Sequence, residues 1–218
     1  MEKDKKDNFL ARSLSSVGIV LVNLWFIYTE SVALSGLFIF ALGIFMAFEW
    51  GEITRTAANR RTWGLAGVSY IILVLTPLLL IKSLPNGNNF LMFLFLIVWC
   101  VDTFAYIFGA KMNCGKHKIT KISPKKSYEG LAAGAIAAMF FGYIFSKRFL
   151  PEEADLLLFF TPLFCILEQA SDITESFLKR TFNTKDSGDF IPGHGGFLDR
   201  YDGFLYTSLA FLYILLFS

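Results

Sequence analysis

Long apolar runs alternate with short polar segments along the chain, a pattern typical of a helical membrane protein. Seven apolar runs are predicted to be spans, at residues 13–29, 31–50, 63–82, 89–109, 128–145, 155–175 and 203–218. A helix needs roughly 20 residues to cross the hydrocarbon core of a bilayer. Lipid-exposed backbone must be helical or part of a closed barrel, and the two-residue alternation of barrel strands is absent. The pattern predicts an all-α bundle of about seven transmembrane helices.

The polar segments indicate how these helices are connected. Almost no loop separates the first two runs, whereas "SLPNGNN" at residues 83–89 places an Asn-Gly turn signal between the third and fourth. The basic start of the chain suggests a signal peptide, but no small-residue cleavage site follows, which favours a retained first helix. We find no internal repeat, so residues 1–218 are expected to form one domain.

The composition agrees with this class. Hydrophobic residues make up 55% of the 218 positions and charged residues 17%, against about 25% charged residues in soluble domains. The mean hydropathy is +0.53. Cys100, Cys114 and Cys165 are isolated, with no CxxC pair, so we expect them to pack in the core rather than to form a disulfide or bind zinc.

The distribution of positive charge predicts the orientation of the bundle. If the N-terminus is cytoplasmic, 17 of the 20 Lys and Arg residues lie on the cytoplasmic side, and only Lys82, Lys147 and Arg148 lie on the other. Cytoplasmic loops carry such an excess of Lys and Arg. The asymmetry predicts an odd number of spans, with the N-terminus inside and the C-terminus outside.

The sixth and seventh runs differ from the others. Glu168, Asp172, Glu175 and Lys179 follow the apolar part of the sixth run at a spacing that places them on one helical face. Acids at membrane depth are costly and usually face a polar cavity. The seventh run is short for a complete crossing unless the bilayer thins or the helix is sheltered.

Two polar segments and one acid carry the candidate chemistry. The glycine-rich segment, residues 185–202, contains four carboxylates and four glycines, and the basic loop, residues 111–130, contains six lysines and Ser123. Clustered carboxylates suit Mg²⁺, glycines let backbone amides approach phosphate, and lysines bind a triphosphate. Solvated charges, or lysines that obey the positive-inside rule and touch anionic lipid, are the alternatives. Asp102 lies within the fourth run, where an ionisable group indicates function unless it pairs with a buried Lys or Arg.

These segments resemble a known family. "SFLKRTFNTKDSGDFIPGHGGFLDRYD" at residues 176–202 is similar to the signature of phosphatidate cytidylyltransferases, and every position of the long signature is present. A second block begins at Asp102 and continues to "SPKKSYEG" at residues 123–130. Arg12 and "EW" at Glu49 and Trp50 fit weakly. The chain has Ser171 where the family usually has Gly, and Ser127 where it usually has Thr.

The resemblance implies transfer of a cytidylyl group from CTP to phosphatidic acid, giving CDP-diacylglycerol and pyrophosphate. The catalytic residues that it implies are Asp102, Ser123, Asp172, Lys185 and Asp199. The residues expected to bind substrates are Lys116, Lys125, Lys126, Lys179, Arg180, His194, Gly195, Gly196 and Arg200. The metal ligands expected are Asp172 and Asp199, with Asp186 and Asp202 as second choices. His194 either acts on a proton or orients the loop, and His117 is expected to be incidental.

The resemblance also implies the cofactors and partners. Mg²⁺ is expected, with a second cation that is either Mg²⁺ or K⁺, and a homodimer is a possible assembly. No nucleic-acid partner is expected. The site is expected to face the cytoplasm from a bacterial inner membrane. The rivals are a CTP-dependent polyprenol or phytol kinase, an archaeal-type lipid cytidylyltransferase, a transporter that uses Asp102, Glu168 and Asp172 as an ion relay, and a structural membrane protein.

Overall fold

The computed structural model describes residues 2–111, 117–120, 122–124, 126–191 and 195–217, with side chains described from residue 14 onward except at 110 and 111. Its helices are α1 (Glu2–Tyr28), α2 (Val32–Ile53), α3 (Arg60–Lys82), α4 (Gly87–Ala105), a π-helical turn (Tyr106–Lys111), α5 (Tyr128–Phe149), α6 (Ala154–Thr181), α7 (Leu198–Tyr201) and α8 (Phe204–Phe217). Within these residues the secondary structure is helical apart from isolated bridges, which confirms the predicted all-α class.

The helix lengths agree with a membrane bundle. Among the residues that the structure describes, five helices, α2 to α6, are long and apolar enough to cross a membrane, when α4 is counted together with the turn that follows it. The apolar part of α1, Leu14–Tyr28, is shorter, and α8 has 14 residues. At 1.5 Å per residue α8 spans about 21 Å, less than the roughly 30 Å of a hydrocarbon core. Helices α1 to α6 and α8 therefore fit the predicted bundle of seven, and the last of them, α8, is short as predicted.

Polar side chains begin three of these helices. Ser31 accepts a hydrogen bond from the Leu34 amide at 3.3 Å, Asn59 accepts one from Thr62 at 3.2 Å, and Ser127 accepts one from Gly130 at 3.2 Å. Such caps satisfy amides that have no partner within the helix. The Ser127 cap also fixes the point at which the basic loop enters α5.

Close packing of α4 against α5 positions the two ends of the basic loop. A Cβ at Gly134 would lie 2.9 Å from the Val101 carbonyl oxygen, and one at Gly142 would lie 3.0 Å from Ile97. Small residues let transmembrane helices approach in this way. The end of α4, which carries Asp102, therefore lies beside the start of α5.

Aromatic side chains fill the core around α4. Phe93 stacks on Phe211 of α8 at 5.9 Å, and Phe95 contacts Phe204 at 4.6 Å. Cys100 and Cys165 are buried free thiols, as predicted, whereas Cys114 lies outside the described residues. These contacts hold α8 against α4, so a helix too short to span on its own is sheltered by its neighbours.

Candidate active site

A polar cavity of about 420 Å³ lies where α4, α6 and α7 meet the polar segments between the helices. Its walls are formed by Asp102, Ala105, Tyr106, Ser123, Lys126, Ser127, Gln169, Asp172, Lys179, Asp186, Asp199, Arg200 and Asp202. The basic loop and the glycine-rich segment, far apart in sequence, therefore contribute to one cavity. Both segments had been singled out from their residue types alone.

The predicted site residues divide into four groups, one of which is Gly195 and Gly196, which do not line the cavity but lie beside residues of the glycine-rich segment. Those that line the cavity are Asp102, Ser123, Lys126, Asp172, Lys179, Asp186, Asp199, Arg200 and Asp202. Arg180 and Lys185 are exposed and do not line it; the Arg180 guanidinium donates instead to the Thr184 carbonyl oxygen at 2.7 Å. Lys116, Lys125 and His194 lie outside the described residues.

One face of α6 brings charged side chains to the cavity, where Asp172 and Lys179 form part of the wall. Asp172 forms an ion pair with Lys126 of the basic loop and accepts a hydrogen bond from Ser176 at 3.2 Å. Glu175 lies 2.6 Å from the Lys179 ammonium, which also pairs with Asp199. Glu168, Glu175 and Lys179 are buried, which confirms that this polar face turns inward. Asp172 and Lys126 thus join α6 directly to the basic loop.

The basic loop is held in place by its own hydrogen bonds. The Lys126 amide donates to the Ser123 carbonyl oxygen at 3.1 Å, and the Ile119 amide donates to the Lys126 carbonyl oxygen at 3.1 Å. His117 contacts Glu129 through Nδ1 at 2.6 Å. This turn directs Lys126 toward Asp172, and His117 helps to close the loop rather than lining the cavity.

Asp199 has partners on both of its carboxylate oxygens. Oδ2 accepts hydrogen bonds from the Gly196 amide, the Ser187 amide and the Ser187 hydroxyl, each at 2.9 Å, and Oδ1 faces Lys179. Burial by itself would raise the pKa of Asp199, but the Lys179 charge and these donors outweigh burial and hold its pKa below the usual value. Asp199 is therefore an ionised carboxylate that organises the glycine-rich segment.

The glycines allow this carboxylate to approach the backbone. Gly195 has φ +77°, and a Cβ there would lie 2.4 Å from Asp199 Oδ2. At Gly196 a Cβ would lie 2.1 Å from the Ser187 hydroxyl and 2.5 Å from Glu49. The Gly196 amide, expected at a substrate, donates here to Asp199. A larger residue at either position would therefore overlap Asp199 or Glu49, so these carboxylates of the protein itself are part of the reason that glycine is needed here.

Glu49 matches the family pattern only weakly in the sequence, yet the structure places it beside the glycine-rich segment. It lies near the end of α2, is 1% exposed, and accepts hydrogen bonds from the Phe197 amide at 2.7 Å and the Leu198 amide at 2.8 Å. The Ser187 hydroxyl lies 3.1 Å from its Oε2. Glu49 therefore holds the start of α7, and with it Asp199. The feature of the sequence that could have indicated this role is an acidic residue within an otherwise apolar run.

A cluster of three carboxylates at the edge of the cavity, two of which line it, suits a cation. Asp172, Glu175 and Asp202 each offer an oxygen within 4.8 Å of the others. Burial and the charges of Asp172, Asp102 and Glu175 raise the pKa of Asp202 well above its usual value. A group of acids that repel one another in this way is a suitable donor set for a hard cation such as Mg²⁺. Glu175 was not among the predicted ligands, and Asp186 and Asp199 line the cavity outside this close group.

Known proteins are similar in sequence to this chain over most of its length. A sequence profile described as the cytidylyltransferase family matches residues 59–218. The phosphatidate cytidylyltransferase of Rickettsia prowazekii is 35% identical over 225 residues, which cover 98% of this chain and 94% of the relative. That of Rickettsia typhi is 33% identical, covering 97% and 93%. A Staphylococcus epidermidis protein of the same name is 43% identical over 138 residues, covering 62% of this chain and 52% of the relative.

Proposed function

The chain belongs to the cytidylyltransferase family, and from this membership we infer that it transfers the cytidylyl group of CTP to phosphatidic acid, giving CDP-diacylglycerol and pyrophosphate. The protein is thus a membrane-embedded nucleotidyltransferase of lipid biosynthesis. The observation that carries the proposal is the single cavity shared by the basic loop, the acidic face of α6 and the glycine-rich segment. Such a cavity gives a water-soluble nucleotide and a lipid head group one place to meet.

The reaction needs positioning more than proton transfer. A phosphate oxygen of phosphatidic acid forms the new bond to the α-phosphorus of CTP. The bond from that phosphorus to the β-phosphate oxygen breaks, and pyrophosphate leaves with the electron pair. The attacking phosphate is already an anion, so it requires no strong general base. Orientation and charge neutralisation then supply most of the rate.

The cavity residues have roles that match this chemistry. Ser123 and Lys126 bind the phosphates of CTP, and Arg200 binds the phosphate of phosphatidic acid. Lys179 lies between two carboxylates, where its charge can neutralise pyrophosphate once the phosphates enter. Asp199, held by Ser187 and Gly196, keeps Arg200 beside the reacting groups because the two residues are adjacent on α7.

The donor set at the edge of the cavity fits a divalent cation. Asp172, Glu175 and Asp202, whose oxygens cluster within 4.8 Å, would hold Mg²⁺. When bound, the ion neutralises charge on the phosphates. A second cation, Mg²⁺ or K⁺, belongs to the same proposal, with Asp199 and Asp186 as the nearby acids.

The orientation and assembly are part of the proposal. The positive-inside distribution supports a cytoplasmic N-terminus and a cavity that opens to the cytoplasm, and the bacterial relatives support an inner-membrane location. Labelling of single cysteines from either side of sealed vesicles tests the orientation. A homodimer is also proposed, and the molecular mass of the detergent-solubilised protein tests it.

The activity itself is tested with purified protein, labelled CTP, phosphatidic acid and Mg²⁺. We expect a labelled CDP-lipid and the release of pyrophosphate. Dolichol and phytol are assayed in parallel, because a product from either alcohol alone would support the lipid-kinase alternative. A protein that forms no labelled lipid with any acceptor would contradict the proposal.

Lys126→Ala is expected to raise the KM for CTP about tenfold or more, because a hydrogen bond to a charged group contributes about 1.5–3 kcal/mol. Lys118→Ala is the matched control, since Lys118 lies in the same loop, is exposed and does not line the cavity. Initial rates over a range of CTP concentrations measure both variants. Equal KM values for the two variants would remove Lys126 from the CTP site.

The affinity for Mg²⁺ is expected to increase with pH. Because the pKa of Asp202 is raised, its neutral form persists to higher pH than in a free carboxyl, and a cation must displace that proton. Binding therefore strengthens as pH rises through this pKa. The readout is the increase in Tm caused by Mg²⁺ in the absence of nucleotide, measured at several pH values. An increase in Tm that does not change with pH would contradict this assignment.

A further inference from the structure

Two grooves lie along the sides of α1 and share lining residues with the polar cavity. The first, of about 270 Å³, lies between α1, α2 and the glycine-rich segment, and the second, of about 390 Å³, lies between α1 and α4. Ile19 and Asn23 line both grooves, so α1 separates them. Arg200 lines both grooves and also the polar cavity. A single basic residue thus marks the junction of the three spaces.

The first groove, called here the α1–α2 groove, has apolar walls. Its apolar side chains include Ile19, Val22, Phe38, Leu42, Phe190 and Phe197. The aromatic residues of the glycine-rich segment are fixed to α2, because Phe45 stacks on Phe197 at 5.1 Å and meets Phe190 edge-on at 5.8 Å. Since α2 is apolar enough to span a membrane, this wall of the groove belongs to the membrane-embedded part of the protein.

The buried polar pair beside the groove is satisfied within the protein. The Tyr201 hydroxyl donates to Asn23 Oδ1 at 2.6 Å, and Asn23 Nδ2 donates to the Ile19 carbonyl oxygen at 2.9 Å. Both side chains are buried. This pair joins α1 to α7, and because these polar atoms already have partners in the protein, they do not require a polar ligand in the groove. The charge in the lining of the groove comes from Arg200, which also lines the polar cavity.

We propose that the α1–α2 groove holds one acyl chain of phosphatidic acid while Arg200 holds its phosphate, an inference that rests on the proposed function. A molecule with an anionic head and an apolar tail matches a groove that is apolar along its walls and basic where it joins the reaction cavity. The groove also lies against two helices whose exposed apolar surfaces, including Val17, Leu21 and Phe40, face the lipid.

The groove contributes orientation rather than affinity. Lipid tails are as apolar as the side chains of the groove, so moving a chain from the bilayer into the protein changes its free energy little. A held chain instead restricts the approach of the phosphate to CTP, and a displacement of about 1 Å at a reacting group can cost a hundredfold in rate. The effect of blocking the groove should therefore appear with the lipid substrate and not with CTP.

A pair of matched substitutions tests the groove. Gly18 lines it and Gly36 does not, and a Cβ added at either glycine meets no heavy atom within 4 Å. Both glycines lie within helices, so the change from Gly to Phe alters the intrinsic helix propensity of the two helices by the same amount. We expect Gly18→Phe to lower kcat/KM for dioleoyl phosphatidic acid in mixed micelles by about tenfold to a hundredfold, with the KM for CTP unchanged. Gly36→Phe should behave as wild type.

Photo-cross-linking of the wild-type protein gives a second, independent measurement. The probe is phosphatidic acid with a diazirine in the middle of one acyl chain, and labelled peptides are identified by mass spectrometry. We expect labelling of α1 near Val22 and of α2 near Leu42. Ile136 and Phe140 of α5, which are 70% and 59% exposed, report contact with bulk lipid. Labelling that is strongest at these α5 positions would overturn the proposal.

The outcomes separate the two levels of inference. A wild-type protein that makes no CDP-lipid refutes the proposed function, whereas an active wild type with equal kcat/KM for Gly18→Phe and Gly36→Phe refutes the groove alone. If Gly18→Phe changes the molecular mass in detergent without changing kcat/KM for the lipid, the groove holds a second copy of the chain and the proposal fails. If Gly18→Phe does not fold, the cross-linking result decides.

Discussion

Asp172→Asn is expected to reduce turnover by about a thousandfold or more, because the change removes a charged ligand of the proposed cation and the counter-ion of Lys126. The side chains of Asp172 and Lys126 are 19% and 13% exposed, so their charges are only weakly screened by water. The Asn side chain has nearly the same shape and keeps an oxygen for the hydrogen bond from Ser176. The loss should therefore fall mainly on catalysis.

The control for this variant comes from the same helix. The control variant is Asp155→Asn. Asp155 lies at the start of α6, pairs with Lys147 and is 89% exposed. Exposed ion pairs of this kind contribute about 0–1 kcal/mol to stability, so this variant should keep its activity. Turnover with saturating CTP and Mg²⁺, together with Tm in detergent, compares the two. Activity of Asp172→Asn above about a tenth of wild type would remove Asp172 from the metal role.

Glu49→Ala is expected to lower kcat by about a hundredfold, although Glu49 does not line the reaction cavity. The change leaves the amides of Phe197 and Leu198 without an acceptor and takes a partner from the Ser187 hydroxyl. Each buried donor left without an acceptor costs about 1–3 kcal/mol. The start of α7 should then loosen, and Asp199 and Arg200 should lose their positions. Glu49 is on this account a positioning residue.

Two comparisons distinguish this positioning role from a general loss of stability. Glu49→Gln keeps an acceptor oxygen and should recover part of the activity. Glu52→Ala removes an exposed acid from the same end of α2, where Glu52 lies 3.7 Å from Arg55, and should resemble wild type. Hydrogen exchange of the Phe197 and Leu198 amides should become faster in Glu49→Ala alone. Unchanged protection in an inactive Glu49→Ala protein would show that the residue acts in some other way.

The membrane class and most helices were predictable from the sequence because a bilayer leaves few alternatives. Apolar runs such as residues 31–50 and 63–82 must satisfy their backbone groups within the segment, so composition and length determine a helix. The inward polar face of α6 was predictable for the same reason, since acids at that depth need a cavity. The helix boundaries were less predictable than the helices themselves. Helix α1 begins at Glu2 and α6 continues to Thr181, because both helices include charged residues beyond their apolar parts.

The family and the candidate site were predictable because the family's motifs, in residues 102–130 and 171–202, place particular residue types at fixed spacing. Asp172, Asp199, Lys126 and Ser123 were selected in this way, and all four line one cavity. The contacts that each of these side chains makes within the cavity could not be predicted from the sequence. Nothing in the spacing of the signature indicates that Asp199 bonds to Ser187, or that Asp172 pairs with Lys126.

The pattern of residues along the chain is enough to identify a helical membrane protein with one basic, one acidic and one glycine-rich polar segment. Three features became visible only in the folded molecule: Glu49 of α2 holds the start of α7, Glu175 rather than Asp199 belongs to the close carboxylate cluster, and α1 borders two grooves lined by Arg200. Local pattern specifies helices because their hydrogen bonds join residues four apart, whereas these contacts join residues distant in sequence and depend on how the helices pack.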